Sequence, residues 1–77
     1  MPKVTWNIPD EEKRIAEELR KRYGIGTLSI PQVQQELGLS RSSTLHWLED
    51  VPVLRIEKRN KYRVSDIAHK IYANIIF

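Results

Sequence analysis

The chain has 77 residues, 40% apolar and 30% charged, and its 13 basic and 10 acidic side chains leave a net charge of +3. That mix is too apolar for a disordered polymer and too short for two ordinary domains, so one small domain spanning residues 1–77 is expected. The absence of Cys rules out disulfides and thiolate metal sites, and no apolar run approaches the ~20 residues that span a membrane.

The opening MPKVTWNIPDEE lacks the apolar stretch of a secretory signal, so a cytoplasmic protein with no membrane partner is expected. Residues 2–6 suit an extended strand, with Val4 and Trp6 on one side. A first helix is predicted over 9–23. Pro9 suits its first turn, and Asp10, Glu11 and Glu12 complement the positive helix end. Ile15, Ala16, Leu19 and Tyr23 recur at helical spacing, Arg20, Lys21 and Arg22 fill the last turn, and Gly24 stops it. The Gly24-Ile25-Gly26 link is a stop and hinge, since no strand precedes it and the rest of a dinucleotide fingerprint is missing.

Ser29 is positioned to cap a second helix with Pro31 in its first turn and Val33 and Leu37 inward. Gly38 ends it and Leu39 is expected to plug the corner. Ser40 caps a third helix, roughly 41–49, whose inward face is Thr44, Trp47 and Leu48, and Pro52 prevents continuation. The period then changes. Residues 53–56 read as a strand with Arg55 outward between apolar neighbours. The polar run 58–61 contains Asn60, which tolerates positive φ, and Tyr62, Arg63 and Val64 form the returning strand. Ser65 is expected to cap a last helix with Ile67, Ala68, Ile71, Tyr72, Ile75 and Ile76 on its apolar side. The expected fold is α+β, mainly α, in four parts: a strand and extra helix (1–26), a helix-turn-helix (29–50), a β-hairpin wing (53–64) and a C-terminal helix (65–77).

Charge is concentrated in that hairpin. Between positions 55 and 63 five cations (Arg55, Lys58, Arg59, Lys61, Arg63) face one acid, Glu57, a local net of +4 that exceeds the whole chain's. Such a stripe is the footprint of a polyanion binder, though a solvated hairpin rich in Lys and Arg has the same composition.

The stretch IPQVQQELGLSRSSTLHWLED has the spacing of two helices crossing through a tight turn: a glycine for the left-handed position, an apolar residue, then a capping hydroxyl. From Gln32 to Leu48, with PVLRIEKRNKYRVSDIA after it, the chain resembles the excisionase-like and MerR-like winged helix proteins, small phage and mobile-element DNA binders and regulators. The resemblance is carried by GLSRSS, the Trp47-Leu48 pair, Val51-Pro52-Val53, the basic run from Lys58 to Lys61, and Tyr62-Arg63-Val64-Ser65-Asp66-Ile67-Ala68. It covers about residues 28–70. Two positions depart from it. Gln34 stands where a small Ala usually faces the third helix, and Thr44 replaces Val or Ile, so a buried hydroxyl needs a partner.

In that arrangement the third helix enters the major groove by its N-terminal part. Its expected contacts are Ser40, Arg41, Ser42, Ser43, Leu45 and His46, with Arg41 forked onto guanine, the serines on phosphate or base, and Leu45 against a thymine methyl. The expected wing contacts are Arg55, Lys58, Arg59, Asn60, Lys61 and Arg63, chiefly to phosphate. The competing role for Arg41 is an ion pair with Glu49 or Asp50, and Trp47 is expected in the core. His46 and His69 lie too far apart in sequence for a metal pair, and neither cofactor nor catalytic set is expected. The expected partners are double-stranded DNA, a second copy of the chain on that DNA, and an integrase or other phage protein. Two other roles remain open: the DNA-recognition part of a phage terminase small subunit, which normally continues past a position like Phe77, or a winged-helix protein–protein adaptor.

Overall fold

The computed structural model of the chain describes residues 9–24 and 26–75. The strand expected over 2–6, and Ile25, Ile76 and Phe77, lie outside them. In chain order the elements are α1 (Asp10–Tyr23), β1 (Thr27–Ser29), α2 (Ile30–Leu37), α3 (Arg41–Trp47), β2 (Leu54–Ile56), β3 (Arg59–Arg63) and α4 (Val64–Ala73). The strands form one antiparallel sheet in the order β1-β3-β2, so the described residues make a mainly helical α+β fold.

The helix ends follow from the local sequence. Gly24 takes the left-handed conformation (φ 74°) and donates its N–H to the Arg20 carbonyl at 2.7 Å. Ser29 forms a reciprocal box with Gln32: its hydroxyl accepts the Gln32 N–H, and its own N–H donates to the Gln32 side-chain oxygen at 2.9 Å. The S-x-x-Q spacing with Pro in the first turn makes this start self-sufficient. Gly38 (φ 69°) stops α2 as expected.

Leu39 does not plug the corner; it is 37% exposed. The turn is instead closed by backbone bonds, the N–H groups of Gly38 and Leu39 both reaching the Gln34 carbonyl at 2.9 and 3.4 Å. The interior positions of the helix pair belong to Val33 and Thr44, both fully buried. The Thr44 hydroxyl finds the partner it needs by donating to the Ser40 carbonyl at 2.8 Å. Gln34 is half-buried.

The hairpin departs from expectation in three ways. Its turn is Glu57-Lys58, both at positive φ (52° and 67°), between the paired residues Ile56 and Arg59. Two successive positive φ values match the twist of a two-residue hairpin. Asn60 is therefore not in the turn but in β3, opposite Arg55. Second, β3 ends at Arg63 and Val64 opens α4. Ser65 is not the cap: the N-cap is Arg63, without a side-chain cap bond, and Val64 donates its N–H to the Gly26 carbonyl at 2.9 Å. Third, Leu54 and Ile56 are not covered. They are 37% and 44% exposed, and residues 52–60 are exposed throughout. The cause is topological. β1 is three residues long and pairs only with residues 61–63 of β3, so the rest of the hairpin projects past the sheet.

One core organises the rest. Leu19, Leu28, Val33, Val64 and Ile67 are fully buried beside Leu48, Val51 and Tyr62. Each such aliphatic contributes about 1.5–3 kcal/mol by leaving water. The most extensive contact between elements is α1 along α4, through Ala16 and Leu19 on one side and Ile67 and Ala68 on the other. Ile71 and Trp47 pack on the core's edge, and Tyr72 and Ile75 are half-buried. Among the described residues no helix is long and apolar enough to cross a membrane.

Candidate nucleic-acid interface

The β1–β3 register builds the site. Ser29 pairs with Lys61 while also capping α2, so the start of α2 is fixed against the base of the hairpin. Arg41 opens α3 across the tight turn from α2. Between them lies an open groove of about 540 Å³ lined by Ser29, Ile30, Pro31, Gln32, Arg41, Arg55, Lys58, Arg59, Asn60 and Lys61. Five of these ten residues are cationic and none is acidic.

The lining cations are poorly neutralised by the protein itself. Arg41, Lys58, Arg59 and Lys61 have no carboxylate within ion-pair distance among the described residues. Among the described residues Arg55 donates only to the Asn60 side-chain oxygen, at 3.3 Å. The competing role for Arg41 is not observed: Asp50 pairs with Lys70 at 2.5 Å, and Glu49 lies 3.5 Å from His46. Like charges gathered on one wall raise the local potential and attract an extended anion.

The expected contact residues divide accordingly. Arg41, Arg55, Lys58, Arg59, Asn60 and Lys61 converge on the groove. Arg63 does not; its Nε holds the Asp66 carboxylate at 2.9 Å, at the start of α4. Ser40 is committed to capping, its Oγ accepting the Ser43 N–H at 3.2 Å. Ser42 and Ser43 are exposed beside it. Leu45 is 41% exposed and the His46 side chain 82% exposed, but both lie farther along α3, outside the groove lining.

The start of α2, residues 29–32, was not anticipated as part of this surface. The signal was present as the Ser29–Gln32 capping box, which marks a rigid helix start, but only the strand pairing says what it faces. Its far end is fixed too. Arg22 and Tyr23 of α1 converge on Glu36, Arg22 by an ion pair and Tyr23 by donating its hydroxyl at 3.1 Å. Burial, then the Glu36 bond, raises the Tyr23 phenol above its ordinary pKa, and the Glu36 bond raises Arg22.

No family model, no curated protein and no solved structure matches this chain. Among the described residues no group of three or more His, Asp or Glu side chains is arranged to hold a metal ion.

Proposed function

We propose that the chain is a winged helix-turn-helix module that binds double-stranded DNA sequence-specifically, as a small phage or mobile-element regulator or excision factor. In this reading α3 is the recognition helix and the β2–β3 hairpin is the wing. The observation that carries it is the groove itself, where Arg41 meets four hairpin cations with no carboxylate in the lining. Phosphates would run along those cations and fix the register. Arg41, with the outward residues Ser42, Leu45 and His46 of α3, would meet base edges. The resemblance of residues 28–70 to excisionase-like and MerR-like proteins supports the same assignment.

The test is selection from a random duplex library, followed by titration of the enriched sequence. One motif should be enriched. Arg41→Ala should cost about 1–3 kcal/mol and relax preference at one base position, whereas Lys61→Ala should weaken all duplexes about equally. No enrichment together with no salt-sensitive binding would overturn the proposal.

A protein-contact role is favoured by one separate observation. Val53, Leu54 and Ile56 are 51%, 37% and 44% exposed on the same hairpin, more apolar surface than phosphate contact needs. Solution mass with and without duplex separates the two: a DNA binder without such a role stays monomeric in the absence of DNA.

A further inference from the structure

The far end of α3 is held in an unusual way. Both α1 and α2 stop on a left-handed glycine, which satisfies their last carbonyls by a local turn. α3 has no such stop. Its C-cap, Leu48, is right-handed (φ −86°, ψ −1°), and the helix is only seven residues long, too short to be stable without tertiary support. The Trp47 carbonyl, at its last turn, is one of the acceptors a helix end leaves open.

That carbonyl is taken by a side chain from another element. The ammonium of Lys70, in the last turn of α4, donates to the Trp47 carbonyl and to the Asp50 carboxylate, the latter at 2.5 Å. It also lies 4.6 Å from the centroid of the Trp47 ring. Three contacts therefore converge on one cation at the negative end of α3, where helix dipole and indole face both favour positive charge. The Lys70 side chain is 21% exposed, so these contacts are only partly screened. α4 is itself anchored by Ile67 and Ala68, both fully buried, and so gives α3 a fixed reference.

We propose that Lys70 is a positioning residue for the DNA-facing start of α3: it acts through Trp47 and Asp50 and touches no nucleic acid itself. The inference rests on the DNA-binding reading. Arg41 and Trp47 are the two ends of α3, about 9 Å apart at 1.5 Å per residue, so a tilt of about 6° moves Arg41 by about 1 Å relative to the hairpin cations. The hydrogen bond from Lys70 also holds the Asp50 carboxyl below its ordinary pKa.

The experiment compares the full chain with Lys70→Met and Lys70→Arg, all with Trp6→Phe so that emission reports Trp47. Duplex affinity is measured well below each melting midpoint. Lys70→Met should lose roughly three- to thirtyfold in affinity, keep the wild-type salt slope, and shift Trp47 emission. Lys70→Arg, which preserves the charge and its contacts, should recover most of the affinity. Wild-type affinity in folded Lys70→Met would overturn the proposal, because the tie would then only stabilise the fold. A salt slope reduced by about one would also overturn it, because Lys70 would then contact phosphate directly. If Lys70→Met does not fold, Asp50→Asn removes the exposed half of the tie and should lower affinity in the same direction, by less; unchanged affinity there counts against positioning. A wild-type chain that binds no duplex brings down the DNA reading and this inference together, whereas Arg41-dependent binding with Lys70→Met unaffected removes this inference alone.

Discussion

Around α1 and α4 acids and bases are interspersed and several are paired: Glu11 lies 3.0 Å from Arg14, Arg22 pairs with Glu36, and Asp50 pairs with Lys70. On the hairpin, Arg55, Lys58, Arg59 and Lys61 have no carboxylate partner among the described residues. Apolar side chains follow the same division. Ala16, Leu19, Ile67 and Ala68 are buried where α1 meets α4, while every residue from 52 to 60 is exposed. One region is satisfied in its apolar contacts, mixes both signs of charge, and supplies stability. The other leaves charge and apolar surface to be satisfied from outside, and it can do so because the first holds it in place.

Substitutions can break this contrast from either side. The largest effect is expected in the satisfied region. Ile67→Ala should lose about 2–5 kcal/mol in denaturant unfolding, a large share of the margin of a domain this small. A smaller effect of opposite sign is expected at the hairpin tip. Lys58 sits at φ 67°, which a side chain other than Gly, Asn or Asp adopts at a cost. Lys58→Gly should therefore raise stability by up to about 1 kcal/mol. The same substitution removes one groove cation and should lower the salt slope of DNA binding by about 0.9. A rise in melting temperature with unchanged DNA binding would show that the tip contributes no phosphate contact.

The smallest effect is expected from acid. The Asp50 carboxyl is held low by Lys70, so its contribution is complete above the ordinary carboxylate value and is lost as pH falls through the lowered one. The pair is solvent-exposed on the Asp50 side, and its share is correspondingly small. Trp47 emission in the Trp6→Phe background should change over that acid range before global unfolding, and Asp50→Asn should abolish the early change.

Much of the helical framework was legible in the sequence because its signals are local. Gly24, Ser29, Gly38 and Ser40 fix helix ends through bonds to residues within four positions, and they stand where expected. The open region was less legible because its geometry is set by partners far along the chain. Nothing local marks residues 27–29 as a strand; they become one by pairing with residues 61–63. Asn60 looked like the turn residue on propensity. The observed β2–β3 register, with Arg55 opposite Asn60 and Ile56 opposite Arg59, puts the turn at Glu57-Lys58, which have no such preference. The individual groove cations were visible, but their meeting with Arg41 and residues 29–32 was not. Arg63 was indistinguishable from its neighbours until Asp66 was seen to hold it.

The central claim is that the groove between α3 and the hairpin binds DNA phosphates, and the dependence of duplex affinity on salt tests it most directly. The wild-type chain should give a log–log slope of roughly −4 to −5. With Arg55, Arg59 and Lys61 all changed to Ala, the slope should fall to about −2, at roughly 0.9 per lost contact, while the unfolding free energy stays within about 0.5 kcal/mol, as for surface changes elsewhere. A wild-type slope near zero, or the same slope in both proteins, would contradict the account.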